Sequence, residues 1–389
     1  MQNLVNSKYL DYLDTAAIFF TLLLTLLLTG CGGSSSTDAE ATTTLPATTT
    51  TAIDTTAQAA LGEKIYFDTN LSNPLGQSCA SCHLSTAGFA DPDSDQPTSE
   101  GAIAGRFGNR NSPTASYANQ TPEFSFVVGG PGGGHYVGGQ FLDGRASTLE
   151  LQALAPFLNI LEMNMASEAA VIDQIKLSEY AAEFETVFGT AALDDSGTAY
   201  QQVSQAIAAF ERTPVFSPFN SKFDAVQNGT DVFTVAEQNG RNLFNGKGDC
   251  ARCHGTGNGN PEVFSNFEYR NIGTPANAAN PFLTLDSSLN SDSAAFVDLG
   301  LGSALNEAAQ NGKFRTPTLR NVNKTAPYMH NGVFNTLTEV VNFYNRRDID
   351  GITPEVNQNV DNGGNIGNLN LTDGEVQDLV AFMQALSDN

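Results

Sequence analysis

Cys79-Ala80-Ser81-Cys82-His83 decides the reading of this chain, because the pattern returns as Cys250-Ala251-Arg252-Cys253-His254. Both are C-x-x-C-H, the spacing of covalent c-type haem attachment. On a tight turn the two sulfurs reach the vinyl groups along one haem edge, and the adjacent imidazole swings under the iron. With 5 Cys and 4 His in 389 residues, chance would supply the pattern on the order of 10⁻³ times. Two other chemistries use these residue types. A zinc ribbon places its second C-x-x-C about 15 to 20 residues on, whereas 168 positions separate Cys82 from Cys250. A redox dithiol has no need of the His. Cys79, Cys82, Cys250 and Cys253 are therefore expected to anchor two haem c groups, with His83 and His254 as iron ligands.

The sequence around the two motifs repeats weakly. Leu61-Gly62-Glu63-Lys64-Ile65-Tyr66-Phe67 precedes the first and Asn239-Gly240-Arg241-Asn242-Leu243-Phe244-Asn245 the second, each a short amphipathic helix by its spacing. Capping boxes stand at Thr234 with Glu237, Thr336 with Glu339 and Thr372 with Glu375. AAVIDQIKL, TAYQQVSQAIAAFE and GEVQDLVAFMQAL carry 3.6-residue spacing, and the connections are rich in Gly, Asn and Pro. The expectation is an all-α protein of two cytochrome c-like haem domains in tandem, residues 58–225 and 226–389, parting near 214–235.

From Ala16 to Thr29 runs AAIFFTLLLTLLLT, too short to span a bilayer comfortably and suited to an export signal. It ends in Leu28-Thr29-Gly30-Cys31, which resembles a bacterial lipobox, although Asp11 and Asp14 outweigh Lys8 ahead of it. An ordinary signal peptide is the alternative. Residues 1–30 are read as a lipoprotein signal. Residues 31–57, dominated by Ser, Thr and Ala, are read as a flexible tether, with a glycosylated stalk as the alternative. The expected location is the periplasmic side of a bacterial membrane, touched only through a lipid anchor. One lipidated Cys and four thioether Cys then account for all 5. Lys+Arg of 18 against Asp+Glu of 42 gives a charge of −24; removing residues 1–30 leaves 17 against 40, or −23. Such a field repels phosphate backbones and excludes nucleic acid as a partner. The chain has no Trp.

From about Leu61 onward the chain resembles the bacterial di-haem cytochrome c peroxidases, and in detail their relatives of the methylamine-utilisation MauG family. The resemblance rests on the two haem motifs, GNRNSPT (108–114), GGQFLDGRASTLELQA (138–153) and KFRTPTLRNVNKTAPYMHNGVFNTLTEVVNFYN (313–345). Where typical relatives read QFWDGR, Leu142 replaces the Trp.

The resemblance implies peroxide chemistry at the first haem and electron transfer at the second. It makes Gln140 and Glu150 a distal pair, Gln140 orienting peroxide and Glu150 moving its proton. Ser147-x-x-Glu150 is also a capping box, so a helix cap is the competing role for Glu150. For the second iron the resemblance points to Tyr344, with Met329 as fallback; Leu337, Val340, Val341 and Tyr344 also form one helical face. No His lies between His83 and His135, so the loop ligand that blocks the peroxidatic iron in classical relatives is missing. His135, in a glycine-rich stretch, is read as a solvent-exposed loop residue. Asn111, Thr325 and Pro327 match a calcium site between the haem domains, and Arg315 matches a residue that bridges propionates.

The function implied is reduction of hydrogen peroxide with electrons from a small cytochrome c or cupredoxin; the sequence leaves the oligomeric state open, a homodimer being one option. The alternatives are a MauG-like oxidase modifying a protein or organic substrate through a high-valent state, and a non-enzymatic electron-transfer cytochrome.

Overall fold

The computed structural model describes residues 55–129, 133–255 and 261–389, and residues 52–389 form one compact unit. The export signal, Cys31 and the tether as far as residue 54 lie outside the described residues. In chain order the first helices are α1 (Thr55–Phe67), α2 (Cys79–Cys82), α3 (Leu149–Leu158), α4 (Glu168–Leu177), α5 (Ala181–Phe188) and α6 (Ser196–Glu211). They are followed by α7 (Lys222–Gln227), α8 (Val235–Asn245), α9 (Ala251–His254), α10 (Leu301–Leu305), α11 (Leu337–Arg346) and α12 (Asp373–Gln384). Helix α1 takes in the last three residues assigned to the tether, because the run Ala57-Gln58-Ala59-Ala60 favours helix once Leu61 and Ile65 are packed. Among the described residues no helix is long and apolar enough to cross a membrane.

Each haem motif follows a helix that is crossed by a much later one. In the first half α1 crosses α6 at Gly62, where an added Cβ would stand 1.9 Å from the Ala206 carbonyl oxygen. In the second half α8 crosses α12 at Gly240, where the same atom would stand 1.9 Å from the Asp378 oxygen. Only glycine lets two backbones approach this closely. In both crossings a phenylalanine four residues on, Phe210 or Phe382, packs beside the glycine. The glycine shared by the two repeat segments is thus a helix-crossing residue.

Two apolar clusters grow from these crossings. One gathers Leu61, Ile65, Phe157, Ile172, Phe184, Val203, Phe210 and Phe216. The other gathers Phe223, Phe244, Phe264, Leu337, Val341, Leu379, Phe382 and Leu386. Arg320 is fully buried beside the second. Its guanidinium donates to both Asp224 oxygens and to the Glu262 carbonyl, and it lies 5.1 Å from the Phe219 ring and 5.5 Å from that of Tyr117. The three capping boxes read from the sequence all form. At α3 the cap is Thr148 rather than Ser147, its hydroxyl accepting from the Leu151 amide at 3.3 Å.

The all-α expectation needs correction, since short antiparallel pairs accompany the helices. Strands β1 (Ser125–Val128) and β2 (Gly134–Val137) pair with Phe126 opposite Tyr136, and β3 (Tyr269–Arg270) pairs with β4 (Phe314–Arg315). The runs SFVV and HYV join β-branched and aromatic residues across a glycine-rich link, and the Phe126 and Tyr136 rings meet edge to face at 4.9 Å. A bridge from Val137 to Glu268 ties the two pairs together. The Arg315 amide donates to the Leu142 carbonyl at 2.8 Å, which fixes Arg315 against the first half.

Candidate active site

Both C-x-x-C-H segments open into one cavity of about 460 Å³. His83 Nδ1 lies 3.1 Å from the Phe89 carbonyl oxygen, and His254 Nδ1 lies 3.0 Å from that of Phe264. Donation to those carbonyls sets the Nδ1–H tautomer and makes Nε2 the metal-binding nitrogen of each ring, with the Ser112 hydroxyl 3.5 Å from that of His83. Burial holds both imidazoles below their ordinary pKa, so they are neutral, as a ligand must be. A Pro-Thr pair supports each site in the same way: the Thr114 hydroxyl donates to Gly88 and that of Thr318 to Val263, both at 2.6 Å. The Tyr66 hydroxyl donates to the His83 carbonyl at 2.9 Å.

Burial pushes the Cys79, Cys82 and Cys250 thiols up to about 12. A redox-active dithiol needs the opposite shift. Among the described residues no cluster of three or more His, Cys, Asp or Glu is placed to hold a metal.

Arg315 lines the same cavity. Its Nε has no hydrogen-bond partner, and its other nitrogens reach only Thr121 Oγ1 and the Phe141 carbonyl, each at 3.4 Å. Burial holds its pKa below the usual arginine value. A buried guanidinium without a carboxylate partner suits an anion. The donor set therefore fits two covalently held haem groups: two neutral imidazoles, two pairs of protonated thiols and an unsatisfied cation where propionates would sit.

Gln140 and Glu150 are not brought together as a distal pair. Gln140 is buried in the cavity wall, its Nε2 donating to the Ala118 carbonyl at 3.2 Å. Glu150 is outside that wall, its Oε1 2.6 Å from Arg212 Nη1. Burial alone would raise the Glu150 pKa, but hydrogen bonds from Arg212, its own amide and Thr148 outweigh this and leave it below the usual value. The Arg212 ion pair holds the Glu150 side chain off the wall that Gln152, Ala153 and Pro156 of the same helix line.

Tyr344 and Met329 both line the cavity. Burial raises the Tyr344 phenol above its ordinary pKa, and the nearby Cys253 and Cys250 raise it further. Tyr344 also packs against the second apolar cluster. Of the remaining histidines, His330 is stacked on Phe314 with ring centres 3.9 Å apart and has Nε2 3.1 Å from Glu355. His135 is exposed, as expected, but it stands on strand β2, 3.3 Å from Glu268.

Asn111 Nδ2 donates to the Pro327 carbonyl, and Thr325 lines the same wall. Turning the Asn111 amide would point its oxygen toward that carbonyl, an all-oxygen start for a calcium site.

One functional candidate was missed in the sequence. Glu211, the last residue of α6, lines the cavity with its Oε2 buried and without a partner. Its signal was present: spaced eight from Val203 and four from Ile207, it falls on the apolar face of its helix.

The family described as Di-haem cytochrome c peroxidase matches residues 56–232. Methylamine utilization protein MauG of Paracoccus denitrificans is 39% identical over 354 residues, covering 85% of this chain and 89% of that protein. Cytochrome c551 peroxidase of Nitrosomonas europaea is 30% identical over 331 residues, covering 85% of this chain and 79% of that one. The crystal structure of the diheme peroxidase BthA from Burkholderia thailandensis superposes with a TM-score of 0.74 at 30% identity, covering 86% of this chain and 89% of that one. With two haem-attachment motifs facing a single cavity and this extent of likeness, the chain belongs to the di-haem cytochrome c peroxidase and MauG family of oxidoreductases.

Proposed function

We propose that this protein reduces hydrogen peroxide to water, taking electrons one at a time from a small cytochrome c or cupredoxin. The observation that carries the reading is the asymmetry of the cavity wall. The second motif faces Tyr344, whose phenol feels both Cys250 and Cys253 and would be available as a ligand to an iron held there. The first motif faces Glu211, whose buried carboxyl acts on the Cys79 thiol and is a poor iron ligand while protonated. Bound haem supplies one-electron chemistry at two centres and a place for peroxide. His83 and His254 each present a fixed neutral Nε2, Arg315 neutralises carboxylate groups inside the cavity, and Gln140 offers an amide to orient the substrate. Asn111, Thr325 and Pro327 would hold calcium across the two halves. A charge of −24 suits a donor with a basic face, because opposite fields speed encounter. The lipobox-like segment supports anchoring at the periplasmic side of a membrane.

The test is peroxide-dependent oxidation of a reduced small cytochrome c by the haem-loaded chain. Wild type should turn over, and Gln140→Ala should be slower by about tenfold or more. No peroxide-dependent oxidation by wild type refutes the reading. Tyr344 specifically favours a second one, a MauG-like oxidase acting on a protein or organic substrate, since a hard phenolate stabilises oxidised iron. Tyr344→Phe should convert a low-spin electron paramagnetic resonance signal to high spin. An unchanged spectrum returns Tyr344 to a packing role and removes this second reading.

A further inference from the structure

We propose that Glu211 is the proton-holding residue of the first-motif half of the cavity, replenished from solvent through the Glu150–Arg212 pair. The proposal rests on the peroxidase reading and supplies the proton route it requires. Glu211 is 6% exposed and lines the cavity, and no hydrogen bond satisfies its Oε2. A buried carboxyl left open toward a cavity is arranged to exchange a proton rather than to hold the fold together. Arg212, the next residue, turns outward to Glu150 at 2.6 Å, with the two side chains 47% and 32% exposed. One guanidinium thus separates a solvent-facing carboxylate from an inward-facing carboxyl.

The groups that act on Glu211 come from every element packed around it. Tyr66 belongs to α1, Cys79 to the haem motif, Glu150 to α3, and Arg212 directly follows α6. Glu162 shares the wall; burial raises its pKa above the usual carboxylate value, and Arg145 and Asn159 only partly oppose this. Burial pushes Glu211 up to about 8; Arg212 lowers it, and Glu150 raises it again. At neutral pH it therefore carries a proton, while Glu150 does not.

Reduction of one hydrogen peroxide to two waters consumes two electrons, supplied by the donor protein, and two protons. When the O–O bond breaks, the departing oxygen needs a proton so that it leaves as water rather than hydroxide. Glu211 gives up that proton, is recharged from solvent past Glu150, passes a second proton to the remaining oxygen in the same way and is recharged again, so that two solvent protons enter for each peroxide. Charge and atoms then return to their starting state at every turnover.

The test compares haem-loaded wild type with Glu211→Gln, Glu211→Asp and Glu150→Gln. Wild type should show an infrared carboxylic-acid band that titrates near pH 8 and is missing in Glu211→Gln. With haem content and visible spectrum unchanged, Glu211→Gln should lose about 100-fold in peroxide consumption and the alkaline limb of its pH profile. Glu211→Asp keeps the acid and should recover part of the rate. Glu150→Gln should spare the first turnover and slow the later ones. A Glu211→Gln enzyme with wild-type rate and pH profile overturns the relay, as does a wild type without the titrating band. A wild type that consumes no peroxide overturns the peroxidase reading and the relay together. Equal rates in an active wild type and Glu211→Gln overturn the relay alone.

Discussion

Two glutamates flanking one arginine have opposite chemistry here. Glu150 keeps its charge because Arg212 and a helix N-terminus hold it, while Glu211, the buried residue just before that arginine, keeps its proton. The difference has a signature in stability. The folded pKa of Glu211, about 8, lies above its reference value of 4.5. The folded chain therefore binds the extra proton, and this contribution is complete below about pH 4.5 and is lost as pH rises through 8. Over that window wild type should lose stability on the order of a few kcal/mol relative to Glu211→Gln, whose side chain does not titrate. Denaturant unfolding of both proteins across the window checks this, and parallel curves would refute it. The inward turn of Glu211 was legible in its spacing from Val203 and Ile207. Its empty surroundings were not, because they depend on Tyr66 and Cys79 more than a hundred positions earlier.

Among the elements, the helix crossings are the most sensitive points. At Gly62 and Gly240 a methyl group would collide with a backbone carbonyl, which cannot move aside without shifting a helix. Gly62→Ala and Gly240→Ala should each destabilise by about 1–3 kcal/mol. Gly374 in α12 has nothing within 4 Å of its added Cβ, so Gly374→Ala should be neutral or stabilising by up to about 1 kcal/mol. Urea midpoints that do not separate the three variants would remove the crossing argument. Most helices were readable because each carries its own local signal, as in the capping boxes of α8, α11 and α12. The β1–β2 hairpin was overlooked because four-residue strands beside glycines give too short a period to register against helical neighbours.

Across the whole molecule, the first and second halves meet through a few directed contacts. The Asn111 amide donates to Pro327, and the Asn111 backbone amide donates to the His330 carbonyl at 2.8 Å. Tyr117 donates to Asp388 at 2.8 Å, close to the C-terminus. Arg110, paired with Asp143 at 2.7 Å within the first half, reaches Asp298 of the second at 2.6 Å. A cation bound between Asn111 and the 325–327 carbonyls would add to this set. Calcium at about a hundredfold excess over its dissociation constant should stabilise the chain by roughly 2–3 kcal/mol. Asn111→Ala should abolish the effect. Thermal melts that are identical with calcium and with chelator would refute the site.

The amino-acid sequence by itself determined where haem can be attached, which segments are helical and how they are capped, and the strongly acidic charge. Each of these depends on residues within about one or two helical turns of one another, or on a sum over the chain. Only the tertiary structure decided that both motifs share one cavity, that Tyr344 lies by Cys250 and Cys253, and that Glu211 rather than Glu150 faces inward. Those outcomes depend on where distant segments cross and how each helix is rotated at the crossing, and local spacing does not encode either one.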